Sequence, residues 1–135
     1  MAFVRWMPAI IYAAIIVALS SSSRPLPIEL PFSGCDKLLH VAEYALLALL
    51  VRWPLSRMAP PVARHADAIT AALVGLFGLS DELHQSLVPG READSLDVLA
   101  DCVGALFGIA LWRGFLAGDR KARVVSAGRV RRGEP

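Results

Sequence analysis

The sequence predicts an all-α fold, an integral membrane bundle of four transmembrane helices, and three observations predict it. The chain is 56% hydrophobic with a mean hydropathy of +0.53, above the roughly 45–50% apolar content of soluble domains. The apolar residues fall in blocks approaching the roughly 20 residues that a spanning helix needs. Most of the basic residues fall in the segments on one side of those blocks. Spans are expected near Phe3–Ser21, Leu38–Trp53, Ala66–Leu87 and Ser95–Phe115, forming one transmembrane domain over residues 1–115. No separate soluble domain fits between them. Residues 116–135 form a basic, partly disordered cytoplasmic tail in this reading.

The first span carries Pro8 near its start, where a missing N–H is tolerated. It also has the outline of a signal peptide, with Arg5, an apolar run from Ala9 to Leu19, and a small-residue site at Ala18-Leu19-Ser20. Removing it leaves three spans and termini on opposite sides, so retention is the reading adopted. The Ser- and Pro-rich stretch from Ser20 to Gly34 is an irregular outer loop. It ends at Ser33-Gly34-Cys35-Asp36, whose spacing matches a capping box for the second helix. Prolines 54, 60 and 61 place a connection between Trp53 and His65. Val88-Pro89-Gly90-Arg91 forms a tight turn between the third and fourth spans. The fourth carries Gly104-x-x-x-Gly108, a small-residue stripe suited to close helix approach or to a homodimer.

With both termini inside, eleven of the 14 basic residues lie on the cytoplasmic side and only Arg24, Lys37 and Arg91 lie outside. The positive-inside rule then fixes the orientation, and the tail is attracted to anionic membrane lipids. Cys35 and Cys102 both lie toward the outer side, either as a disulfide or as unpaired thiols. The cationic residues sit on connections and tail without interleaved aromatics, so nothing supports nucleic-acid binding and none is expected.

The polar residues that interrupt the apolar runs concentrate in the outer halves. On the second span Lys37, His40 and Tyr44 share a face, with Glu43 in reach. On the third, Asp81, His84 and Gln85 are spaced i, i+3 and i+4, flanked by Glu82. On the fourth, Asp94, Asp97 and Asp101 continue into the glycine stripe. Ionisable groups at membrane depth are costly and mark a functional site by default. The cheapest arrangement turns the three stripes inward around one hydrated pocket, with Arg91 over its mouth. Bland readings stand beside this one. Asp36 and Asp94 suit helix N-termini, Lys37 can snorkel, and the whole set can be a structural salt-bridge knot.

Asp36-Lys37-x-x-His40-x-x-x-Tyr44, then Asp81-Glu82-x-His84-Gln85 and Pro89-Gly90-Arg91, then Ser95-x-Asp97-x-x-x-Asp101-x-x-Gly104-x-x-x-Gly108 resemble the VanZ-like family of bacterial membrane proteins. The resemblance covers about Asp36 to Gly108. The family pattern usually carries Asn where Asp101 stands. The resemblance implies an envelope protein linked to reduced susceptibility to the glycopeptide teicoplanin, with no established biochemical activity.

Two classes of function follow. One is an enzyme acting on an envelope lipid or lipid-linked head group at the outer surface. In it His40, Glu82, His84 and Asp97 are the catalytic candidates, and His with carboxylates can also hold a divalent cation. Lys37 and Arg91 would hold a phosphate or carboxylate. The other is a non-catalytic accessory protein that binds a head group, a lipid-linked envelope precursor or a glycopeptide. Its binding candidates are Lys37, Glu43, Tyr44, Asp81, Gln85, Arg91 and Asp101. A small proton or solute carrier is a third possibility, though no inverted repeat is evident.

Overall fold

A computed structural model describes residues 3–22, 35–91 and 94–132, with side chains described as far as Phe115. Ser33, the expected start of the capping box, and Arg24 lie outside the described residues. A 3₁₀ turn over Phe3–Trp6 leads into α1 (Met7–Ser20). It is followed by α2 (Cys35–Leu55), the short α3 (Pro60–Arg64), α4 (Ala66–Gln85) and α5 (Ser95–Arg132). Among the described residues there is no strand.

The helices begin and end where backbone chemistry directs. Pro8 occupies the first turn of α1, and Pro60 and Pro61 open α3, positions where no intrahelical N–H is required. Pro54, expected to close the second span, instead sits within the last turn of α2, which runs to Leu55. After α4 the chain reverses through Gly90 at φ 84°, a backbone conformation that favours glycine.

Three segments are long and apolar enough to cross a membrane: Phe3–Ser20, Cys35–Leu55 and Ser95–Phe115. The 20-residue α4 is about 30 Å long, enough to match them. It falls below their apolarity because Asp67 lies at its start and Asp81, Glu82, His84 and Gln85 crowd its end. Packing compensates, because α4 lies against both α2 and α5, while α1 rests on α2 and α4. The core links these helices through Ile16, Tyr44, Leu47, Ala48, Val74 and Ala105. Large apolar side chains such as Ile10, Leu39, Leu76 and Phe107 remain exposed on the outer surface, as acyl chains require of a spanning bundle.

The glycine stripe of α5 is taken up inside the chain. A Cβ at Gly104 would stand 2.5 Å from the Val41 carbonyl oxygen, and one at Gly108 would strike the Ala45 carbonyl oxygen with Ala48 Cβ at 2.9 Å. Both glycines therefore seat α5 on the backbone of α2. Gly75 meets only Cys102 Sγ, at 3.9 Å. Gly108→Ala is accordingly expected to destabilise the bundle by about 1–3 kcal/mol through overpacking, whereas Gly75→Ala leaves it unchanged or slightly firmer. Thermal unfolding of the two variants in detergent checks the contrast, and equal midpoints would contradict this packing.

Candidate functional site

The four long helices alternate in direction, so the end of α1, the start of α2, the end of α4 and the start of α5 gather at one end of the bundle. Every side chain expected in the pocket lies at this end, and the structure sorts them into two neighbouring groups.

The first group joins α2 to α5. Lys37 Nζ donates to Asp94 Oδ2 at 2.6 Å and to Asp97 Oδ1, and lies 3.2 Å from Asp36 Oδ2. One ammonium is thus shared by three carboxylates. One helical turn deeper, His40 Nδ1 lies 2.9 Å from Asp101 Oδ1, and its Nε2 lies 3.9 Å from Asp97 Oδ1. Asp101 is 2% exposed. It sits opposite Gly78 of α4, where an added Cβ would fall 2.8 Å from Asp101 Oδ2 and 3.0 Å from Tyr44 Cε1. The absence of a side chain at Gly78 is what admits the Asp101 carboxylate between the helices. Tyr44 lies nearly parallel to His40, with ring centroids 6.5 Å apart. Its buried hydroxyl has no hydrogen-bond partner among the described residues. Glu43 is half-buried and within electrostatic reach of His40, Asp81, Asp101 and the Tyr12 phenol of α1.

The second group joins α4 to α1. Ser20 Oγ donates to Asp81 Oδ1 at 2.6 Å, and Gln85 Nε2 donates to Asp81 Oδ2 at 3.0 Å, all three residues being buried. Exposed His84 lies 2.9 Å from Ser21 Oγ through Nε2. The structure therefore brings His40 together with Lys37, Asp97 and Asp101, and places His84 apart at the α1 rim. Arg91, expected over the mouth, instead reaches the carbonyl oxygens of Ser22 and Leu19 at 3.4 and 3.5 Å. There its charge suits the C-terminal end of α1.

Two carboxylates also hold backbone. Asp94 Oδ1 accepts the Leu96 N–H at 2.9 Å and so caps α5, while its other oxygen takes Lys37. The Lys37 ammonium beside it holds the Asp94 carboxyl below the ordinary carboxylate range. Glu82 Oε1 accepts the Asp94 N–H at 2.5 Å, tying the end of α4 to the start of α5 across the Gly90 turn.

As chemistry, this end offers a surplus of carboxylates, one fully engaged ammonium, and an imidazole held at Nδ1 with Nε2 turned toward Asp97. A His–Asp pair of this kind can accept, hold and return a proton. Among the described residues no group of three or more His, Cys, Asp or Glu side chains is arranged to hold a metal ion. The Lys37 ammonium fills the place between Asp36, Asp94 and Asp97 that a cation would take. Cys35 and Cys102 are free thiols.

Sequence reading missed Ser20 and Ser21 as partners of Asp81 and His84. Their signal was present: two hydroxyls at the end of one span, level with an acid and an imidazole spaced three apart on another. It also missed a charge cluster at the opposite end. There Asp67 receives Arg52 Nε at 2.5 Å and Arg113 Nε at 2.7 Å.

A family model described as VanZ/LLP1 matches residues 3–117. No curated protein and no solved structure matches the chain.

Proposed function

This chain belongs to the VanZ/LLP1 family, and on that premise we propose that it binds or processes the head group of a lipid-linked envelope precursor at the outer membrane face. In this reading the protein is a multi-pass component of a bacterial cytoplasmic membrane, with cytoplasmic termini, and its action lowers susceptibility to teicoplanin. The observation that carries the reading is the gathering of Lys37 and His40 from α2 with Asp94, Asp97 and Asp101 from α5 at one end of the bundle. The basic bias of the opposite end supports an outward orientation for this one.

The charge balance shapes what the site accepts. Lys37 is engaged by three carboxylates and Arg91 by backbone carbonyls, so neither is free to grip a phosphate. The negative charge of Asp81, Glu82 and Asp101 around half-buried Glu43, whose carboxylate is not engaged as theirs are, instead favours the hydroxyl, amide and amine donors of a sugar or peptide head group. His40, oriented by Asp101, is the group that would move a proton on a bound ligand. Lys37, Asp94 and Glu82 fix the frame around it.

Alanine substitutions of His40, Glu82, His84, Arg91 and Asp97, scored for membrane abundance and teicoplanin susceptibility together, test the reading. His40→Gln and Asp97→Asn, which keep a hydrogen-bonding group beside Asp101 and Lys37, are tested alongside and are expected to lose the phenotype at near-normal abundance. Loss of abundance in all five variants would leave only a structural salt-bridge network.

A further inference from the structure

We propose that the opposite end of the bundle holds the phosphate of an anionic phospholipid between Arg52, Trp112 and Arg113. The site is independent of the acidic end. Asp67 accepts Arg52 Nε at 2.5 Å, Arg113 Nε at 2.7 Å and Arg113 Nη2 at 2.6 Å. Two guanidinium groups on one carboxylate leave a surplus positive charge.

Two buried donors there lack acceptors. Arg52 is 9% exposed, and neither its Nη1 nor the Trp112 indole Nε1 has a hydrogen-bond partner among the described residues. The Arg52 guanidinium carbon lies 5.7 Å from the Trp112 ring centroid, so the two donors are neighbours. Buried N–H groups rarely go unpaired, and the ones that do need an account. An acceptor beside a surplus cation is best supplied by an anion. A phosphodiester offers two oxygens that match a guanidinium fork.

The surroundings point to a lipid as the source. Arg113 is 70% exposed in its side chain, and Leu111 and Phe115 beside it are exposed apolar residues. Trp6 and Trp53 lie at this same end, with the Arg57 guanidinium 5.0 Å from the Trp53 ring centroid. Tryptophans with arginines at one level mark a membrane interface. Both donors are closed off from the surface, so occupation of the site requires the half-buried Trp112 side chain to move aside.

Full-length protein presented with equal amounts of phosphatidylglycerol and phosphatidylcholine, and read by native mass spectrometry, tests the proposal. Wild type is expected to retain phosphatidylglycerol preferentially. Trp112→Phe keeps the ring and deletes the N–H, Arg113→Gln removes an exposed charge, and both leave the basic tail intact. Each is expected to lower the preference roughly threefold to tenfold, the loss of one charge-assisted hydrogen bond, with an unchanged melting midpoint. No preference in wild type, or an equal preference in both variants, would overturn the site. Inorganic phosphate that displaces phosphatidylglycerol from wild type at equal concentration would overturn the lipid as its occupant.

Discussion

Lys37→Met is expected to lower the stability of the bundle by about 1–2 kcal/mol and to deplete the protein from the membrane. Removing one partner of a fully buried ion pair costs about 3–5 kcal/mol, because the other charge is left uncompensated. Here Asp36, Asp94 and Asp97 would be left facing one another with no cation among them. The value is set below the buried limit because Lys37 is 28% exposed and Asp94 41%, and solvent screens the residual repulsion. Lys37→Arg keeps the charge and is expected to recover most of the loss. Thermal unfolding in detergent and membrane abundance read the effect, and a Lys37→Met protein as stable as wild type would show that the contacts are incidental.

Asp101 gives the second large effect and a sharper contrast. Asp101→Leu is expected to cost about 2–3 kcal/mol, since it strips the partner from His40 Nδ1 and forces an apolar group against the close approach at Gly78. Asp101→Asn preserves shape and hydrogen bonding while removing one carboxylate from a crowded acidic group. It is expected to remain within about 1 kcal/mol of wild type and to keep the teicoplanin phenotype, in line with the Asn usual at this position in the family pattern. If Asp101→Asn were as damaging as Asp101→Leu, the carboxylate charge itself would be required. His40 would then work as half of a charged pair.

The sequence made the membrane class legible because apolar blocks of spanning length survive any detail of packing. It also placed the polar stripes, since helical periodicity alone puts Lys37, His40 and Tyr44 on one face and Asp94, Asp97 and Asp101 on another. Periodicity says which face a residue occupies and nothing about which helix faces it. That is why the division of the α4 residues could not be read. Asp81 and His84 turn to the hydroxyls of α1, while Glu82 holds the backbone at Asp94. The same gap hid the cluster at the opposite end: Arg52, Asp67 and Arg113 lie apart in the chain and meet only because α2, α4 and α5 pack together. Gly104 and Gly108 show the ambiguity from the other side. A small-residue stripe fits any close partner, and here α2 of the same chain occupies it.

A double-mutant cycle between Lys37 and Asp97 tests the convergence of α2 and α5 most directly. Lys37→Met, Asp97→Leu and the paired variant are compared by thermal unfolding in detergent. Direct contact predicts that the pair loses less than the sum of the single losses, by about 1 kcal/mol or more. Losses that add to within about 0.5 kcal/mol would mean that these side chains do not meet, and the site would have no frame.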